Sequence, residues 1–470
     1  MWRLAIPAVL LGAIIAVAGY FGAPARAQIA VQNQGYVPFS EAPIYYRSAP
    51  LSDPVAVLQQ QIEAGKVKLT YEPAHGYLKS VLSLLKVPES SQTLVFSKTS
   101  FQSSKISPEH PRALYYNDDV YVGAVHDGKA IEVISFDPKQ GAIFYLLDEP
   151  KADQPAIQRA ELDCTQCHIA AGTRGVPGVL LRSVFSTTSG VPSSRLPSFI
   201  TDQKSAWKDR WGGWYLTGGQ GPASMANVAL VGAAPTSEAA AKLAPELAPI
   251  PSFDAQAYLT RGSDPVALLV LAHQTQMHNL ITLTNYQTRL ALYALGKGSG
   301  GDVAAPSLEA LPEAARAQIE RPAEQLLRYM LFVGETPLGG QDARKAVAAS
   351  AYAREFAARG PYDAKRRSLR DFDLHDRIFR YPCSYLIYSQ AFDALPEPAK
   401  GYVLHRLLQV LTGQDQSPDF AGLSPTDRAA ILSILIATKP GLPAEWRGYA
   451  HTNHLRTADL RPTTAQPKEG

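Results

Sequence analysis

Eight residues, Glu161-Leu-Asp-Cys-Thr-Gln-Cys-His168, constrain this chain more than any others. Cys164 and Cys167 stand three residues apart and His168 follows at once. In this C-x-x-C-H order two thiols can add across the vinyl groups of one haem c, and the next imidazole takes the proximal position on the iron. The chemistry is local and needs no distant partner. Two other readings of the cysteine pair stay open. A redox or disulfide pair uses the same spacing. A zinc site needs two more ligands, and the chain offers one further cysteine, Cys383, and no second C-x-x-C.

The compartment agrees with the first reading. Residues 1–27 have a basic start at Arg3, an apolar run from Ala5 to Phe21 and a small-x-small site at Ala25-Arg-Ala27. They read as a secretory signal peptide, with an uncleaved anchor as the alternative. The expected location is periplasmic or secreted. The 45 Lys and Arg nearly balance the 42 Asp and Glu, and losing Arg3 and Arg26 brings them closer. No strong field selects nucleic acid or an anionic surface. No later stretch is apolar enough for a membrane span, and three cysteines are too few for a disulfide scaffold.

The pattern predicts an α+β chain, with a strand-containing N-terminal half carrying the motif on a helix and a mainly α-helical C-terminal half. Residues 28–160 form the mixed region. Asp53-Pro54 caps a helix to about Gly65, a second helix covers Tyr77 to Leu85, and Thr93 to Phe96 is a strand. Four β-type runs, 113–116, 120–125, 131–136 and 142–147, are split by Asn117-Asp-Asp119, Asp127-Gly128 and Asp137-Pro138, which predicts an antiparallel meander. A helix from Gln154 to Cys167 leads into the attachment region, residues 161–231, which continues with a Gly175-Val-Pro-Gly178 turn and a strand over 179–185. The stretch 232–253 is an Ala/Pro-rich linker. In the helical region, 254–445, Ser263-Asp264-Pro265 caps a long helix to about Leu295. Further helices are expected at 307–333, 341–359, 396–413 and 424–438, the last capped by Ser424. Residues 446–470 read as a polar tail.

The second axial ligand of the iron decides the chemistry: methionine raises the potential, histidine lowers it, and an open position permits ligand binding. Met225 is the candidate from a loop. Met277 and His278 are the alternatives on the long helix, as distal ligands or as pocket residues. Met277 shares a face with His273, whereas His278 lines up with Gln274, Asn285 and Arg289. That second stripe is polar enough that it must face solvent or line a site. A solvated or hydrogen-bonded core residue is the plainer reading of any of these histidines, and a buried structural thiol is that of Cys383.

The motif and its Gly/Pro turn resemble the cytochrome c superfamily, in which such a turn supplies a carbonyl to the proximal imidazole; the resemblance implies Pro177 for that role. Its small members begin near the motif and are all-helical, whereas here a long, partly β-type stretch comes first. Longer pieces resemble an uncharacterised group of secreted bacterial cytochrome c domain-containing proteins. They are Leu94-Val-Phe-Ser-Lys-Thr-Ser-Phe101, Tyr116-Asn-Asp-Asp-Val-Tyr-Val-Gly123, Arg210-Trp-Gly-Gly-Trp-Tyr215, His273-Gln-Thr-Gln-Met-His-Asn279 and Arg380-Tyr-Pro-Cys-Ser-Tyr-Leu-Ile-Tyr-Ser389. The position of Met225, 57 residues after His168, is similar to the spacing at which cytochrome c methionines return over the haem.

Three function classes follow. The first is a monohaem c electron-transfer protein working with a redox partner protein or a small-molecule electron donor or acceptor. The second is a haem enzyme or a gas or redox sensor with an open distal face, served by His278, Arg289 or a tyrosine. The third is a haem-free protein whose cysteines form a disulfide. Size weighs mildly against a simple carrier.

Overall fold

A computed structural model describes residues 37–194, 197–216, 229–230, 253–296, 306–338 and 350–452. The expected signal peptide, Met225 and nearly all of the Ala/Pro-rich stretch lie outside the described residues. Two helices come first, α1 (Pro54–Glu63) and α2 (Leu78–Leu84). Asp53 caps α1 by accepting the N–H groups of Val55 and Ala56. A six-stranded antiparallel sheet follows in the order β1-β2-β3-β4-β5-β6. Its strands are β1 (Thr93–Val95), β2 (Arg112–Tyr116), β3 (Val120–Ala124), β4 (Ala130–Asp137), β5 (Gly141–Asp148) and β6 (Ile157–Arg159).

Turn chemistry sets the register. The Asn117 side chain accepts the N–H groups of Asp119 and Val120, and Asp137 accepts those of Lys139 and Gln140. Tyr116 therefore faces Tyr121, and Phe136 faces Ala142. Both faces of the sheet are covered, which explains why β5 reads Gly-Ala-Ile-Phe-Tyr-Leu-Leu and not as a polar–apolar alternation. Val122, Val133, Ile143 and Tyr145 pack with Val55, Leu58 and Val81 of α1 and α2. Tyr116, Tyr121, Phe136 and Phe144 pack with the helical half.

The helix expected from Gln154 begins later. Ile157–Arg159 is strand β6, paired with Tyr145–Leu147, and only Glu161–His168 is helical, as α3. The buried Ile157 and the free edge of β5 outweigh local helix propensity. Short β pairs follow: β7 (Arg182–Val184) with β8 (Ser198–Ile200), and β9 (Tyr215–Leu216) with β10 (Ala229–Leu230).

The long helix α4 (Pro265–Ala294) spans about 45 Å and is buried almost without interruption from Val266 to Tyr286. Asp264 caps it. Then come α5 (Glu313–Met330), α6 (Ala351–Ala358), α7 (Gln390–Asp393), α8 (Glu397–Leu411), α9 (Pro425–Thr438) and α10 (Ala444–Thr452). Residues 339–349, where the expected 341–359 helix starts, lie outside the described set. The polar tail was placed too early. Helix α10 continues to Thr452, and its Trp446 is fully buried and donates to the Leu404 carbonyl at 3.1 Å. Sheet and helices share one compact unit from Tyr36 onward, with Phe136, Phe144, Leu268, Leu326 and Leu404 in one core. The boundary drawn at the linker does not divide that core. Among the described residues no helix is long and apolar enough to cross a membrane.

Candidate functional site around His168

Helix α3 has only eight residues and no side-chain N-cap, so tertiary contacts must hold it. At its start Glu161 pairs with Arg47 at 2.7 Å and with Arg159 at 3.9 Å. At its end the His168 carbonyl accepts the Gly178 N–H at 3.0 Å and the Thr173 hydroxyl at 3.2 Å. Cys164 is half-buried against the core, Cys167 is exposed, and neither is in a disulfide. One helical turn separates Cys164 from His168, so the helix carries the first thiol and the ring on adjoining parts of its surface.

The His168 ring packs against Phe144 of β5, with ring centroids 5.0 Å apart. Its Nδ1 lies 2.8 Å from the Gly178 carbonyl. A carbonyl only accepts, so Nδ1 carries the hydrogen and Nε2 keeps its lone pair. Burial lowers the proton affinity of the ring, opposed by the Gly178 carbonyl; Arg112 lowers it further and Glu132 raises it. The neutral imidazole that a metal requires is therefore the resting form. The carbonyl comes one residue later than the sequence implied. Pro177 instead accepts the Ala142 N–H of β5 at 3.2 Å.

Helix α4 clamps this turn. Gln276 donates to the Gly172 carbonyl at 3.0 Å, while Asn279 accepts the Val179 N–H at 3.0 Å and donates to the Val179 carbonyl at 2.7 Å. A Cβ on Gly178 would lie 2.2 Å from Asn279 Oδ1, so only glycine fits. Sequence reading missed Gly178, Thr173, Gln276 and Asn279 as supports. Asn279 closes one of the quoted segments, and Gly178 ends the quoted turn.

The other sequence candidates do not converge on this turn. At 100° per residue, Met277 points about 160° away from Asn279, into the core. His278 is buried with Nδ1 2.9 Å from the Tyr121 hydroxyl and its ring stacked on Phe136 at 3.9 Å. Gln274 accepts from the Tyr385 hydroxyl and donates to Tyr121, which leaves Tyr121 to donate to His278. His273 spans Gln203 at 2.6 Å and Ser384 at 2.8 Å. Burial lowers the pKa of both histidines to about 3. The polar stripe is engaged by backbone carbonyls: Asn285 donates to that of Ala394, and the partly exposed Arg289 to those of Lys139 and Pro43. Cys383 is a buried thiol, free of any disulfide, whose pKa burial raises. Among the described residues, no group of three or more His, Cys, Asp or Glu is gathered to hold a metal ion.

The chain matches no protein-family model, no curated protein and no solved structure.

Proposed function

We propose that the protein is a monohaem c-type cytochrome, secreted or periplasmic, that carries electrons between a donor and an acceptor. The observation that carries this reading is the fixed tautomer of His168: Gly178 holds Nδ1–H and leaves Nε2 free, beside two reduced cysteines at the attachment spacing. The residues fit the group in polarity as well. Phe144, Ile134 and Leu114 share the sheet face on the His168 side, the last two only partly buried, and offer apolar surface for a flat macrocycle, with the Arg112–Glu132 ion pair on the same face beside them. Cys164 and Cys167 would hold the haem covalently and His168 would be its proximal ligand. Bound there, haem supplies a one-electron iron couple. The chain's own part is to hold the His168 ring in one orientation through Gly178 and Asn279 and to keep water off its Phe144 side.

Expression with a signal peptide alongside a c-type maturation system tests the reading. Acid–acetone extraction should leave the colour on the protein, and the colour should be absent in the double variant Cys164→Ala/Cys167→Ala. Haem that extracts fully, or a chain without a Soret band, overturns it. A ferrous spectrum unchanged by carbon monoxide is expected for an electron carrier. Rapid carbon monoxide binding would move the protein to the enzyme or sensor class.

A further inference from the structure

The segment Arg210-Trp-Gly-Gly-Trp-Tyr215 takes no part in the site above, yet it is tightly fixed. A Cβ on Gly212 would come within 2.6 Å of the Val184 carbonyl, and one on Gly213, whose φ is +82°, within 2.6 Å of Ser97. Trp214 donates to the Arg182 carbonyl at 2.8 Å. This anchoring turns Arg210 inward, where it is fully buried. Its Nε donates to the Ser205 carbonyl at 2.7 Å and its Nη2 to the Gln203 carbonyl at 2.9 Å, and its plane lies over Trp207. Nη1 is buried and has no partner.

Nearby donors are also unused. Gln203, which presents its carbonyl to Arg210, donates its side-chain amide to the Tyr329 carbonyl. The Tyr329 hydroxyl is buried beside the Gln203 backbone, has no partner at good hydrogen-bond geometry, and lies in the fields of Asp202, Arg174 and Arg210. The Arg174 side chain, on the turn after His168, makes no hydrogen bond among the described residues, and its Nε is buried. The exposed Lys204 places Nζ 5.9 Å from the Tyr329 ring centre. Burial lowers the proton affinity of Arg174, Lys204 and Arg210 alike. Against these three cations stand Asp202 and Glu335, and burial makes Glu335 reluctant to ionise; the Arg328–Asp419 pair beside Lys204 adds no net charge. Water can satisfy an unused N–H or O–H, but it does not neutralise a desolvated excess of positive charge.

We propose that Arg174, Lys204, Arg210 and the Tyr329 hydroxyl form a binding site for one small inorganic oxyanion, entered past Lys204. An oxyanion offers several acceptors to guanidinium and phenol donors at once and supplies the missing charge. The site is independent of the haem reading.

Full-length protein titrated calorimetrically with sodium nitrate, sulfate and phosphate, each against sodium chloride at matched ionic strength, tests it. At least one oxyanion should bind saturably at a single site. Affinity should fall about tenfold or more in Arg174→Gln, the loss of one charge-assisted hydrogen bond, with Arg174→Lys restoring part of it. Tyr329→Phe removes one hydroxyl with no well-formed hydrogen bond, so it should fold about as well as the wild type while binding the oxyanion more weakly. No saturable binding of any of the three, or equal affinity in Arg174→Gln and Tyr329→Phe, overturns the proposal and leaves a water-filled cluster.

Discussion

Glu335 accepts the Ile378 N–H at 2.8 Å, yet burial outweighs that bond and the fields of Arg210 and Arg377, and its carboxyl rises to about 7. A folded-state value above the unfolded one makes the protonated form the stabilising one. Its contribution is complete below the unfolded value of 4.5 and is lost as pH rises through about 7. Glu335→Gln keeps an acceptor for Ile378 and removes the charge. The variant should be more stable than the wild type by about 2 kcal/mol at pH 8, and the gain should vanish near pH 4.5; urea unfolding at both values measures it. A variant less stable at pH 8 would mean that the ionised carboxylate is fully compensated. His273 and His278 run the other way. Their folded values of about 3 lie below the ordinary 6.5, so each adds stability above pH 6.5 that is lost as pH falls toward 3. At His168 the expectation is spectroscopic: His168→Ala should alter the iron spectrum more than loss of any other histidine, and an unaltered spectrum would remove the ligand assignment. Cys164, Cys167 and His168 were legible as candidates, and their place on one helix too, because the signal lies in their spacing along the chain. The choice of Gly178 over Pro177 was not, because it depends on a turn in which Arg174 and Gly175 both adopt positive φ. Nor were the roles of Asn285 and Arg289, whose partners are more than a hundred residues away in sequence.

Elements whose signals are local were read correctly. Asp53 and Asp264 cap their helices, Ser424 caps α9, and Asn117 and Asp137 turn the meander. Elements that depend on a distant edge were not: β6 exists because β5 offers Tyr145–Leu147 as partners, and α10 because Trp446 reaches Leu404. The same non-local logic governs the turn after His168. Asn279 satisfies both backbone groups of Val179, and truncating it leaves a buried N–H and C=O without partners. Asn279→Ala should therefore cost about 3 kcal/mol and loosen the turn that presents Gly178 to Nδ1. Denaturant unfolding reads the first effect. For the second, a reduction potential or His168 ring resonance that shifts in Asn279→Ala but not in Asn285→Ala would separate positioning of the imidazole from general destabilisation. Equal behaviour of the two variants would reduce Asn279 to a structural tether.

At the scale of the molecule, the composition shift after Asn227 suggested a linker between a mixed region and a helical one. Helix α4 belongs to both halves. Its Tyr286 donates to the Gln140 carbonyl, its Ala267 carbonyl accepts the Tyr116 hydroxyl, and its Gln276 and Asn279 hold the turn after His168. Val266, Leu268, Leu271, Met277, Leu280, Ile281 and Leu283 are all buried, and each such side chain contributes about 2 kcal/mol by leaving water. That total is comparable with the roughly 5–15 kcal/mol by which a whole domain is stable. A chain ending after Asn227 would keep the motif and the sheet but would expose the face of Tyr116, Tyr121, Phe136 and Phe144. It should show no cooperative urea transition and no fixed near-ultraviolet dichroism. If haem is attached to it at all, His168 should lack the fixed orientation that gives the full-length spectrum. A truncated chain that unfolds cooperatively and retains the full-length spectrum and carbon monoxide behaviour would show that the sheet and the motif are self-sufficient, and that the contacts made by α4 are accessory.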